Sequence, residues 1–306
     1  MKADFQILIG IAQSEQRGIT VKADFHILIA FAPSMQETTF SFLFEPSKAA
    51  WRIHMTKWLD NLFEKNELTF ALVWIGIYCA LNSLANPLSD AIGIHSSASL
   101  ICNFLLTVML FLWIRKKGLT KYYGLCSPHS PAGRFLWYLP LLLFMSHNLW
   151  FGIAVNYPAA DTACYILSML CVGFLEEVIF RGFLFKALTK ENVKTAVLIS
   201  SVTFGLGHIL NLFNGSGMDI TANLWQIVSA IACGFLFVVI FYGGGSLLPC
   251  IAAHSVNNAV SVFANEAALT AEKRILFSAV NFLLVAAYAF VLTKTLPKQQ
   301  SPNPKT

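Results

Sequence analysis

The chain predicts an all-α, polytopic membrane protein with about eight transmembrane helices, on three observations. Of its 306 residues, 56% are hydrophobic and only 12% are charged, against about a quarter charged in an average soluble domain. The apolar residues fall into runs near the ~20 residues that cross a bilayer as a helix. The basic residues stand beside those runs, so the net charge of +5 follows the positive-inside rule and calls for no nucleic-acid partner. The cysteines sit mostly within apolar runs with no CxxC pair. They read as small hydrophobes, because a disulfide framework or thiolate metal site needs close, paired spacing.

Residues 1–46 are an N-terminal extension with a near-duplication: KADFQILIGIA from Lys2 to Ala12 recurs as KADFHILIAFA from Lys22 to Ala32. Neither apolar run is long enough to span a bilayer, and the Lys and Asp that open each argue against a signal peptide. The pair reads as a small cytoplasmic hairpin or as an over-extended start, with translation beginning at Met35 or Met55; the second reading is preferred. In residues 47–68, Trp51, Met55, Trp58, Leu59 and Leu62 recur at helical spacing among Lys48, Arg52, Lys57 and Lys65. That pattern predicts an amphipathic helix lying on the inner membrane surface.

The body, residues 69–295, divides into eight expected spans: 69–87, 98–114, 135–155, 162–183, 195–213, 221–242, 247–265 and 275–293. On one side of these spans lie the lysines and arginines around 48–65, 115–121, 134, 186–194, then Lys294 and, in the tail at 296–306, Lys298 and Lys305. On the other side are only Lys273 and Arg274. This asymmetry predicts that both termini are cytoplasmic.

Few strongly polar residues remain within the spans. In FLEEVIFRGFLF, from Phe174 to Phe185, Glu177 and Arg181 are four apart and share a helix face, while Glu176 points about 100° away. Charges at membrane depth cost a few kcal/mol each, so such residues usually pair and serve function. The same three side chains at a helix end, reaching into water, would be equally ordinary. Phe204 and His208 stand one turn apart in FGLGH, whose Gly205 and Gly207 let another helix approach. His254 and Asn258, four apart in HSVNN, share a face. Taken singly, each histidine is more often a satisfied structural group than a catalyst. Together, a glutamate, two histidines and an asparagine supply both a base for water and donors for an oxyanion, which peptide hydrolysis needs. His147, Asn148 and Asn281 have no patterned partner and read as structural.

These three sets resemble the motifs of the CPBP (Abi) intramembrane proteases, the type II CAAX prenyl endopeptidases among them. EEVIFR matches EExxxR, FGLGH matches FxxxH and HSVNN matches HxxxN, in the family's order. The resemblance implies an intramembrane endopeptidase in which Glu176 activates water and His208 helps to bind it. His254 and Asn258 would stabilise the oxyanion, and Glu177 and Arg181 would hold the first motif in place. It implies a membrane-associated peptide or protein substrate, prenylated or not, reached within the bilayer. The N-terminal duplication inherits no role. Glu176, His208 and His254 are also a conceivable zinc set with a fourth position for water. No HExxH-like spacing exists, so a metal-independent glutamate mechanism without a cofactor is the expectation. Two alternatives stay open: a transporter relaying protons through Glu176, His208 and His254, and a non-catalytic scaffold or immunity protein on the same body. Against the transporter, the chain shows no matching halves.

Overall fold

The computed structural model describes residues 48–128, 138–214, 218–268 and 270–295. The duplicated N-terminal segment and the tail at 296–306 lie outside the described residues. The chain divides into one unit over residues 1–57 and another over residues 58–306. Helix α1 (Lys48–Lys65) begins in the first, and all the packing below belongs to the second.

The second unit continues through α2 (Glu67–Ile92), α3 (Ser97–Lys116), α4 (Pro140–Ser146) and α5 (Ala159–Thr189). Then come α6 (Val193–Gly207), closed by a tight 3-10 turn at His208–Leu212, α7 (Ile220–Gly244), α8 (Leu248–Val260) and α9 (Ala271–Thr295). The helix starts follow local chemistry. Asn66, Asn192 and Asp219 accept from the backbone N–H three residues on, satisfying donors that a helix N-terminus leaves unpaired. Six helices among the described residues are long and apolar enough to cross a membrane: α2, α3, α5, α6 with its turn, α7 and α9. Leu84, Leu105, Leu198 and Leu283, on four of them, are more than half exposed, as lipid-facing residues are. The protein is an integral membrane protein of the expected all-α, polytopic class.

Two of the eight expected spans take another form. Residues 135–155 contribute only the 7-residue α4, a 3-10 turn at His147–Leu149 and non-helical chain among their described part. Residues 247–265 form the 13-residue α8 and a short turn, about 20 Å of helix against a hydrocarbon core of about 30 Å. Non-helical backbone survives at such depth only where protein satisfies it, and these two segments satisfy each other. Ala154 N donates to Phe263 O at 2.9 Å, and Asn156 Nδ2 donates to Val262 O and Ala264 O.

The described residues of both segments nevertheless run between the two ends of the bundle. At the first end Lys117 pairs with Asp60 and Glu64, and Lys190 with Glu67. Tyr122 donates to Glu67 there, its phenol pushed up to about 12 by burial and by that carboxylate, so it stays a donor. At the second end His95, in the α2–α3 turn, stacks on Tyr157 and Tyr165, and Tyr165 bonds Ser261. Leu247 N donates to Gly124 O at 2.8 Å, so α8 starts beside the loop that carries Tyr123. That loop is sunk into the bundle: Tyr123 is buried edge-on against Phe183. His254, only about 10 Å along its helix from Leu247, therefore reaches the same level as residues far along α5 and α6.

At the centre stands α5. From Glu177 to Phe185 its hydrogen bonds widen to the π register, and all nine residues are buried. π stretches inside α-helices are frequent at functional sites. Phe183 meets Phe70 and Trp113 edge-on, tying this stretch to α2 and α3. On α1, Leu59 is buried and Phe63 packs on Phe70 and Trp113, while Trp58 is half exposed.

Candidate active site

The first motif sits where α5 changes register. Gly173 makes the placement possible, because a Cβ there would fall 2.6 Å from the backbone of Ser255 on α8. Small residues allow helices to touch backbone to backbone, and here the contact lies one turn before Glu177 and one residue after His254. Gly205 does the same between α6 and α7, where a Cβ would meet Ile231 and the carbonyl of Ile227. Gly207, expected to admit a helix as well, has no neighbour within 4 Å of its Cβ position and lines a cavity instead.

The polar side chains then form one continuous chain of contacts. Arg181 Nη1 donates to Glu177 Oε1 at 3.1 Å, with both side chains fully buried. The same carboxylate oxygen lies 2.7 Å from His254 Nδ1. On the far side of the ring, His254 Nε2 lies 3.4 Å from Glu176 Oε2. Glu176 Oε1 in turn accepts from the Tyr78 hydroxyl of α2 at 2.8 Å. Facing two carboxylates, His254 has Nδ1 held by Glu177, and Nε2 is the nitrogen left to exchange a proton at Glu176.

The guanidinium is only partly satisfied by hydrogen bonds. Arg181 Nε and Nη2, and Glu177 Oε2, have no hydrogen-bond partner among the described residues. The Phe204 ring compensates: Arg181 Cζ lies 3.9 Å from its centroid, with Phe237 at 5.6 Å, a cation–π arrangement worth most when desolvated. Phe204, the first residue of the second motif, also meets His208 and His254 edge-on at 5.2 and 5.8 Å. One aromatic ring thus touches the cation of the first motif and both histidines.

His208 caps α6. Its Nδ1 lies 3.2 Å from Phe204 O, an acceptor, so Nδ1 carries the proton and Nε2 keeps its lone pair. Asn223 Nδ2 holds the His208 carbonyl at 2.8 Å, fixing the turn. Asn258 is anchored through its neighbour: Asn148 Nδ2 donates to Asn257 O at 2.9 Å. Asn148, expected to be structural, does tie the 147–149 turn to α8. His147 contributes Nδ1 to Phe144 O at 2.7 Å.

Two cavities meet at these residues. One, of about 670 Å³, is bordered by His254, Phe237, Trp225 and Phe277; the other, of about 600 Å³, by Glu176, Tyr78 and a row of serines and asparagines from α2 and α3. His208, Asn258, Phe204 and Gln226 border both. Glu176, His208, His254 and Asn258 are therefore brought to one place, with Glu177 and Arg181 buried behind His254.

Tyr78 was not singled out by the sequence. A buried tyrosine hydroxyl needs a partner, which is the one signal the sequence offered. The partner is 98 positions away, so no local spacing could have named it.

A protein-family model, type II CAAX prenyl endopeptidase Rce1-like, matches residues 158–260. The matched stretch holds α5 to α8 and with them Glu176, Glu177, Arg181, His208, His254 and Asn258. No curated protein and no solved structure matches the chain. The match over residues 158–260 supports a likeness to the CAAX-type intramembrane proteases in the part of the chain that carries the site.

Proposed function

We propose that the protein hydrolyses a peptide bond of a membrane-associated substrate by a metal-independent mechanism in which Glu176 is the general base. The observation that carries this reading is the contact chain Arg181–Glu177–His254–Glu176–Tyr78, which leaves Glu176 facing a cavity while its partners are buried. Tyr78 and His254 fix the carboxylate. Glu176 takes a proton from water as the water oxygen attacks the carbonyl carbon. His254 and the Asn258 amide stabilise the resulting oxyanion, and His208 Nε2 orients the water. The C–N bond then breaks, and the proton held by Glu176 passes to the leaving nitrogen.

The zinc alternative fits the geometry less well. Among the described residues no three His, Cys, Asp or Glu side chains converge as a metal-binding group. The test is a cleavage assay on detergent-solubilised protein with farnesylated C-terminal peptides, leader peptides and transmembrane-tail peptides. We expect one class to be cut, with turnover unchanged after dialysis against a zinc chelator. Cleavage that vanishes on chelation and returns with zinc would reverse the metal assignment, and no cleavage together with uptake in proteoliposomes would favour a transporter.

Asn258→Ala should fold normally and lose about one hundredfold or more in turnover, the usual effect of deleting an oxyanion donor. Near-normal turnover per folded molecule would remove Asn258 from the site.

The basic residues collect at the Lys117–Lys190 end of the bundle, which supports placing that end, and both termini, in the cytoplasm. Both cavities extend to the other end, to Asp90, His95, Asp219 and Arg274, so this orientation gives them to the non-cytoplasmic side. A reporter enzyme fused after Ile94 should be active only outside the cytoplasm; cytoplasmic activity there overturns the orientation.

A further inference from the structure

The candidate catalytic groups divide between the two cavities. Glu176 borders only the smaller and His254 only the larger, while His208 and Asn258 stand in the partition. Resting on the hydrolytic reading above, we infer that water and peptide occupy separate chambers: the α2–α3 cavity supplies water to Glu176, and the α7–α9 cavity binds the substrate chain.

Three observations support the division. The smaller cavity is bordered by Asn82, Ser83, Asn86, Ser99 and Asn103, groups that hold water. Asn103 is fully buried, and its side-chain carbonyl has no hydrogen-bond partner among the described residues; buried acceptors of this kind are normally met by ordered water. Pro87, inside α2, has no N–H to give the Ser83 carbonyl, and such freed carbonyls in membrane helices are met by water or neighbouring side chains. The second observation is the larger cavity's lining, where the rings of Phe144, Trp225, Phe237 and Phe277 stand among amides that include Asn148, Gln226, Asn257 and Asn281. Apolar rings with a few placed amides are what a peptide needs, rings for side chains and amides for backbone groups. The third is direction. His254 Nε2 lies 3.4 Å from Glu176 Oε2 although the two border different cavities, so a carbonyl held beside His254 and Asn258 would meet water delivered from the opposite chamber.

The probe is a farnesylated ten-residue peptide, or whichever panel peptide is cut, offered to the Glu176→Gln protein so that it binds uncleaved. A benzoylphenylalanine photocrosslinker at Ser229, on the wall of the larger cavity, should capture the peptide, and the same group at Ser83 should not. In the active protein, Ser229→Trp should raise KM about tenfold or more. Ser83→Phe should lower kcat about tenfold with KM unchanged, because it narrows the water supply alone. Capture at Ser83, or a KM effect from Ser83→Phe with none from Ser229→Trp, overturns the division while leaving hydrolysis intact. If no peptide is cut by the unaltered protein, the hydrolytic reading fails and takes this one with it. Thermal melting of each variant separates these effects from misfolding.

Discussion

Glu176→Gln is expected to lower peptide turnover by about two orders of magnitude or more while leaving the melting temperature nearly unchanged. The size follows from general-base catalysis, which contributes about 10²- to 10⁴-fold. The stability expectation follows from the contacts. Glutamine keeps the volume of the side chain, and its carbonyl oxygen still accepts from Tyr78, now at 2.8 Å from Glu176 Oε1. The loss is confined to the second oxygen, the one 3.4 Å from His254 Nε2, and to the capacity to take a proton. Turnover per folded molecule, measured beside thermal melting in detergent, decides the matter. Near-normal turnover would show that the base lies elsewhere and would remove Glu176 from the mechanism proposed for this site.

Glu177→Gln should fail in the opposite order, with stability first. Its carboxylate is fully buried and a single oxygen serves both Arg181 and His254. Removing the charge strands the Arg181 cation, whose remaining compensation is the Phe204 and Phe237 rings. Breaking one partner of a buried pair typically costs about 3 to 5 kcal/mol, whereas replacing both by apolar residues is often neutral or stabilising. The double variant Glu177→Leu with Arg181→Met should therefore recover much of the stability lost by Glu177→Gln. It should not recover activity, because His254 Nδ1 has then lost the acceptor that fixes its tautomer and orientation. A double variant no more stable than Glu177→Gln would mean that the pair is not what the buried charge depends on. A double variant with full activity would free His254 from any need of Glu177.

The sequence by itself determined the membrane class, because twenty-residue apolar runs and the placement of basic residues are read along one dimension. It also determined the pairing of Glu177 with Arg181, since four positions on a helix fix a shared face without reference to anything else. The EExxxR, FxxxH and HxxxN motifs were legible for the same reason. The tertiary structure alone decided what these local pairs face. That His254 lies between the two glutamates depends on the Gly173–Ser255 contact between α5 and α8. That Tyr78 fixes Glu176 depends on α2 lying beside α5. The forms of segments 135–155 and 247–265 were also beyond sequence reading. Hydropathy scores an apolar run as a span regardless of its backbone, but here Ala154 and the Asn156 side chain bond the carbonyls of Val262, Phe263 and Ala264 across more than a hundred residues. A helix that need not bond only to itself can be short, and that freedom exists only once its neighbour is in place.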